Sequence, residues 1–530
     1  MEFEMIAKTF QGLEGVLAQE LTALGANNIE QGRRMVSFTG DKEMLYRANF
    51  SLRTAVRILK PIKHFRAKTA DEVYDAVKQI DWSQYLSVNT TFAVDSVVYS
   101  NEFRHSKFVA YKVKDAIVDQ FREKTGERPN IRITNPDMQL HIHVAEYDCT
   151  LSLDSSGESL HKRGWRQATV EAPINEVLAA GIILQTGWHG ECDLVDPMCG
   201  SGTFLIEAAM IASGIAPGVY SREYAFEKWP DFDKELFDAI YEDDSAERPF
   251  EHHIYGYDIN HKAIAVATEN VRAAGLSKYI TQHQRDIKDF TKPKQKRVMV
   301  TNPPYGARNS APDLLGLYKT LGERLKHQFT DNDAWVLSYR EECFDQIGLK
   351  PSLRTPLYNG SLECELRKYQ IFSGKLNELK ANGGDIKSED ERRLMAQKRR
   401  FKQNRDFRER LEDDPEERMR RPERKPYGRD DRREGGRRFQ ERDDRRAARG
   451  FRRDDSDEGY GHKSRSFNRD DRRPSRGFRP EERGEDRKPR SYGRNEFRKG
   501  GDDRRKSYGR GDGREGRNRN SYKGYSHDED

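Results

Sequence analysis

Cysteine is scarce in this chain of 530 residues, with five in all: Cys149, Cys192, Cys199, Cys343 and Cys364. No two form a CxxC pair, which argues against a zinc site and a disulfide framework and fits a reducing compartment. No metal is therefore expected. Long apolar runs are also missing. Nothing approaches the ~20 residues a membrane helix requires, so no membrane partner is expected. The start, MEFEMIAKTF, carries acidic residues and no long apolar stretch, unlike a signal peptide. A soluble cytoplasmic protein is the expectation. Beyond Met395 the only aliphatic side chains larger than alanine are Leu411 and Met419. Such a segment buries too little apolar surface to offset its ordering entropy, and residues 375–530 are expected to be disordered.

Charge divides the chain at the same place. Residues 1–374 hold 45 Lys and Arg against 52 Asp and Glu, whereas residues 375–530 hold 50 against 37. The body is thus mildly acidic and the tail basic. Residues 1–42 alternate a strand (FEMIAKT), an amphipathic helix (GLEGVLAQELTALG) and a strand (RMVSFTG), with Gly25 placed as a helix terminator. Residues 43–154 continue as an α+β unit, with the strands TFAVDSVVYS, IRITNP and LHIHVAEYDCTLSLDSSG and a long helix ending at Gly126. Arg104, His105, Lys107, Lys112 and Lys114 cluster near the start of that helix, either as a solvated face or as a phosphate-contacting patch. From about residue 170 strands alternate with longer helices, the pattern of a doubly wound parallel sheet with ligands at the carboxyl ends of its strands.

Four of those strand ends carry chemistry. In LVDPMCGSGTFLIEAAM (194–210) an apolar strand runs into Asp196 and Pro197. Gly200 and Gly202 then open a helix at Thr203, letting backbone approach a ligand near unpaired N–H groups. No lysine follows the second glycine, so this is not a phosphate-binding Walker loop. In IYGYDIN (254–260), Asp258 ends the next strand, where a carboxylate can accept ribose hydroxyls. The interval between the two requires an insertion over 211–250. Asp286 in QRDIKDF is placed to bond an adenine amino group. Each aspartate is singly also a candidate helix cap.

The fourth is TNPPYG (301–306), directly after the apolar run RVMV. Two consecutive prolines remove two backbone donors and force an extended turn, which no sheet gains from. Asn302 offers a side-chain carbonyl, and the Pro303–Pro304 turn offers backbone carbonyls. Two acceptors at one spot suit an exocyclic NH2 group. Tyr305 supplies a face for a base to stack on, worth ~1–3 kcal/mol in comparable contacts. An aryl amine is a poor nucleophile, and holding both its N–H groups localises the lone pair toward an electrophile by positioning alone.

VDPMCGSGT, YDIN, RDI and TNPPY, in that order on a parallel sheet, resemble the class I S-adenosylmethionine-dependent methyltransferases acting on exocyclic amines. The resemblance implies a Rossmann-like sheet, with Asp196, Pro197, Gly200, Gly202 and Thr203 cradling the methionine part. It further implies Asp258 on the ribose, Asp286 on the adenine, and Asn302 to Tyr305 at the target amine. The [DNS]PP[YF] motif serves adenine-N6, cytosine-N4 and guanine-N2 enzymes alike. Upstream, FAVDSVVYSNEFRHSKFVAYKVKDAIVDQF and LHIHVAEYDCTLSLDSSGESLHKRGWR resemble a THUMP domain, an RNA-binding module, with a ferredoxin-like part before it. The linker GESLHKRGWRQATVEAPINEVLAAGI and GSLECELRKYQIF are similar to those of the bacterial large-subunit rRNA guanine-N2 methyltransferases, the N-terminal half of the bifunctional K/L enzymes. That implies a ferredoxin-like part over 1–42, a THUMP domain over 43–154 and a methyltransferase domain over 155–374, with large-subunit rRNA or its assembly intermediate as partner. The chain departs from that group in carrying a charged tail where a second methyltransferase half would follow.

The tail repeats RDDRR and YGR, with 39 Arg to 11 Lys. Arginine interleaved with aromatics and glycine suits unpaired bases and phosphates, though its acidic residues also fit a self-neutralising linker. A tRNA guanine-N2 enzyme, a DNA adenine-N6 methylase and an RNA-binding or chaperone protein stand as alternatives. The last of these needs a degenerate pocket.

Overall fold

A computed structural model describes residues 1–103, 105–220, 223–291, 295–306 and 313–372. Arg104 and the expected disordered tail lie outside the described residues.

The N-terminal part is one mixed sheet of eight strands. Its strands are β1 (Phe3–Lys8), β2 (Asn27–Gly32), β3 (Met35–Gly40), β4 (Arg57–Arg66), β5 (Thr91–Tyr99), β6 (Asn130–Ile131), β7 (Met138–Ala145) and β8 (Asp148–Asp154), in the order β2-β3-β1-β4-β8-β7-β5-β6. Helices α1 (Glu14–Ala23), α2 (Lys42–Ser51), α3 (Ala70–Lys78) and α4 (Ser106–Thr125) connect them. Asp41 and Thr69 cap α2 and α3 by accepting backbone N–H groups. Gly25 follows α1 and Gly126 ends α4, both in the left-handed conformation that favours glycine.

The second strand of this sheet to pair with β1 is β4, through Lys8↔Arg57. Residues on the two sides of position 42 therefore share one sheet and one core, which includes Met5, Phe38, Leu45, Phe92 and Leu140. The expected strand IRITNP shrinks to Asn130–Ile131. Beyond it Asn135 takes a φ of 48° ahead of Pro136, which has no N–H for the ladder.

The second part is a seven-stranded sheet. Strands β9 (Asp193–Asp196), β10 (Ile254–Asp258), β11 (Ile280–Gln284), β12 (Arg297–Thr301) and β13 (Asn332–Ser338) run parallel, and β14 (Leu353–Asn359) and β15 (Leu362–Ile371) form a terminal hairpin. The order is β11-β10-β9-β12-β13-β15-β14, with β15 antiparallel to both its neighbours. Helices α5 (Glu176–Gln185), α6 (Thr203–Ala212), α8 (His261–Ala273), α9 (Leu314–Gln328) and α10 (Glu341–Ile347) complete it, while α7 (Lys234–Tyr241) packs in the core of the N-terminal part. Helices α5 and α6 are buried along nearly their whole length, so they read as apolar runs without a polar face.

The insertion between α6 and β10 fastens the two parts together. Its Phe226 stacks on Tyr46 of α2 at 4.4 Å between ring centroids, and Phe237 meets the same ring edge-on. A second joint is polar. Arg53 donates to the carbonyl of Ile215, while buried Arg163 donates to the Arg53 carbonyl and to Glu207 of α6. No described helix is long and apolar enough to cross a membrane.

Candidate active site

Strand order reverses at β9, which has β10 on one side and β12 on the other. Such a reversal leaves a crevice where open parallel sheets bind ligands. A cavity of about 1390 Å³ lies there. Pockets for one small ligand measure roughly 300–1,000 Å³. The crevice therefore has room for two groups side by side.

Asp196 ends β9 and is 1% exposed. Its carboxylate accepts the Thr301 hydroxyl at 2.7 Å and the Met198 N–H at 3.1 Å. Burial pushes its pKa up to about 7, and the Asp258 carboxylate adds to the effect. Asp258 ends β10, accepts the N–H groups of Gly200 (3.0 Å) and Asn260 (2.8 Å), and is raised by burial too. Two hindered carboxylates facing one cavity favour a ligand that brings positive charge, because such a ligand stabilises their ionised forms. A sulfonium flanked by an ammonium group fits that demand.

Pro197, Gly200 and Thr203 line the cavity, but Gly202 does not. It starts α6 in the left-handed conformation with φ 81°, and a Cβ there would come within 3.2 Å of Ala267 on α8. Its geometry serves the packing of α6 against α8. Asp286 does line the cavity. It also caps the short turn Ile287–Asp289 through the Lys288 N–H and pairs with the Lys288 ammonium, which together lower its pKa. The capping reading thus holds, at a residue that also stands in the cavity wall.

Asn302, Pro303, Pro304 and Tyr305 line the opposite side. The Asn302 Oδ1 atom is buried and accepts no hydrogen bond among the described residues. An unmade bond at a buried acceptor costs about 1–3 kcal/mol, so this atom is suited to a donor that the described residues do not supply. The Tyr305 ring meets Tyr339 edge-on at 5.3 Å, and its hydroxyl accepts from Asn359 at 2.6 Å.

Several lining residues left no local signal. The linker segment 170–174 forms one wall, one face of α9 (Asp313, Gly316, Thr320, Glu323) another, and the hairpin tip (Asn359, Gly360, Leu362) a third. Behind the linker wall, Arg166 donates to the Ser201 and Thr203 hydroxyls at 3.1 and 2.9 Å and to Glu176 at 2.6 Å. Buried Asn270 of α8 accepts the Gln167 N–H and donates to the Ser201 carbonyl. Linker and cofactor turn are thereby one unit. The spacing of polar groups along the linker would not have revealed this.

Of the basic cluster near the start of α4, Lys112 pairs with Asp71 at 2.5 Å and Lys114 with Asp115 at 2.6 Å, while Lys107 is exposed. The sequence reading passed over the aromatics beside them. Phe108 and Tyr111 stand one helical turn apart, 52% and 56% exposed, with the Lys112 and Lys114 ammonium groups 5.6 and 5.9 Å from their respective rings. Among the described residues no His, Cys, Asp and Glu group is arranged to hold a metal.

Comparison with known proteins adds the family. Residues 163–368 match the RMKL-like methyltransferase domain, 67–154 the THUMP domain and 4–59 the RlmL ferredoxin-like domain. A putative RNA methyltransferase of Synechocystis sp. is 37% identical over 373 residues, which cover 69% of this chain and 96% of that protein. The ribosomal RNA large subunit methyltransferase K/L of Syntrophotalea carbinolica is 39% identical over 375 residues, covering 68% of this chain and 52% of that one. The chain thus spans about half the length of the K/L relative. A solved putative methyltransferase complexed with SAH superposes with a TM-score of 0.64 at 31% identity, over 71% of this chain and 99% of that one.

Proposed function

The chain belongs to the RMKL-like methyltransferases that carry ferredoxin-like and THUMP segments ahead of the catalytic sheet, and from that premise we propose that it methylates the exocyclic N2 amine of a guanine in large-subunit rRNA, in the cytoplasm. S-adenosylmethionine is the methyl donor and supplies an electrophilic methyl group when bound. Asp258 would hold its ribose, Asp286 its adenine, and the turn from Asp196 to Thr203 its methionine part.

At the other side of the cavity the target amine is held by acceptors. Asn302 Oδ1 takes one of its N–H groups and the carbonyl of Pro303 the other, which turns the nitrogen lone pair toward the methyl group. Tyr305 stacks on the base, whose removal from its neighbours requires a cavity of this depth. No strong base is needed, since the amine becomes acidic once alkylated and releases its proton to water. The observation that carries this reading is the buried Oδ1 of cavity-lining Asn302, which has no partner among the described residues. Large-subunit rRNA is favoured by the K/L relatives and an RNA substrate by the THUMP match, while guanine N2 rests on the resemblance of the linker and of GSLECELRKYQIF to the rRNA guanine-N2 methyltransferases. Phe108 and Tyr111 suit unpaired nucleotides.

The test is to incubate the full chain with S-adenosylmethionine and protein-free large-subunit rRNA and to identify the product by mass spectrometry. N2-methylguanine is expected, at a position that loses its methyl group in cells lacking the gene. Methylation of adenine, or of a ring carbon, overturns the assignment.

A further inference from the structure

The hairpin β14–β15 stands at the edge of the catalytic sheet, outside the doubly wound core. Its direction nevertheless brings its tip to the ligand side. Ser338 at the carboxyl end of β13 pairs with Glu365 near the start of β15, so the chain turns just beyond that end. Asn359 pairs with Leu362 across a two-residue loop, and Gly360 there has a φ of 66°, the conformation a tight hairpin demands. Asn359, Gly360 and Leu362 all face the cavity.

Two contacts from β-strand ends hold Tyr305 among the described residues. Tyr339, just past β13, meets its ring at an interplanar angle of 79°, and the Asn359 amide donates to its hydroxyl at 2.6 Å. A phenyl ring alone would satisfy a stacking role, since stacking uses only the π-face. The hydroxyl requires a separate reason, and Asn359 is where it is held. A ring anchored at its hydroxyl and packed along its edge has one orientation left, which fixes the plane on which a base can lie.

We propose that Asn359 is a positioning residue for the transfer step: it orients Tyr305 as the platform for the target base, and makes the β14–β15 hairpin tip part of the base pocket. The proposal rests on the reading of Tyr305 as the stacking residue. Asn359 touches neither the reacting nitrogen nor the methyl group, and acts through the tyrosine hydroxyl.

The test is a double-mutant cycle on the full chain with wild type, Asn359→Ala, Tyr305→Phe and the double variant, alongside Tyr305→Ala and Asn359→Asp. Single-turnover rates on large-subunit rRNA, RNA KM and SAH affinity are measured for each. Each single variant should lose about three- to tenfold in rate, the range of one neutral hydrogen bond. The double variant should lose no more than either single, with RNA KM and SAH affinity held. Asn359→Asp, which replaces the amide donor by an acceptor for the phenol O–H, should recover part of the loss. Unchanged rates in the singles, or losses that multiply in the double, overturn the role of Asn359. If Tyr305→Ala itself leaves the rate intact, the stacking reading fails first, and the two failures are told apart.

Discussion

Replacing Asn302 by alanine should separate activity from stability in opposite directions. In the folded protein Oδ1 is buried without a partner among the described residues, a desolvation cost of about 1–3 kcal/mol. Deleting the amide removes that cost and leaves a small void beside an existing cavity, which water can fill. The variant should therefore be as stable as the wild type, or more stable by about 1 kcal/mol. For a domain of this size that is a rise of roughly 2–4 °C in Tm. Transfer should suffer heavily, since a positioned polar contact in a closed site is worth ~2.7–4 kcal/mol of barrier, or about a hundred- to a thousandfold in rate. Thermal melts, calorimetric titration with SAH and single-turnover rates on rRNA decide it. Stability at or above wild type, unchanged SAH affinity and a collapsed rate are expected. A large loss of stability would make Asn302 a structural residue, and full activity would remove it from the site.

Three further outcomes follow from the same geometry. Asp196 ionises near pH 4 in an unfolded chain but at about 7 when buried here, so its contribution to stability is fully present below pH 4 and is lost as pH rises to 7. A ligand ammonium group favours the ionised form, and SAH should bind about tenfold tighter at pH 8 than at pH 6 with release of a proton, as measured by calorimetry in buffers of different ionisation enthalpy; a flat profile refutes it. Arg166→Met should weaken SAH more than free adenosine, because the hydroxyls it holds belong to the turn at the methionine end; equal losses would make Arg166 a general fold residue. Phe108→Ser with Tyr111→Ser should lower RNA affinity by about 1–3 kcal/mol per lost stack in filter binding, with SAH affinity and melting unchanged, and unchanged RNA affinity would exclude this face.

What the sequence determined by itself lay at short range. Alternating apolar strands and helices, the glycines after α1 and α4, and four strand ends bearing Asp196, Asp258, Asp286 and Asn302 could be read from spacing, because each signal is set within about ten residues. Order along a parallel sheet then brought the four ends to one edge. Strand β4 escaped notice because its cationic residues and Pro61 mask an apolar alternation, and the proline is accommodated at a register shift against β8. The tertiary structure alone decided the rest. Arg166 meets Ser201 across 35 residues, Asn359 meets Tyr305 across 54, and Tyr46 stacks on an aromatic ring of the insertion. Contacts of that kind depend on how whole sheets and helices pack, and local residue spacing carries no record of which polar side chain will find which. The same holds for Gly202, whose neighbour Ala267 is brought beside it only when α6 and α8 cross the sheet together.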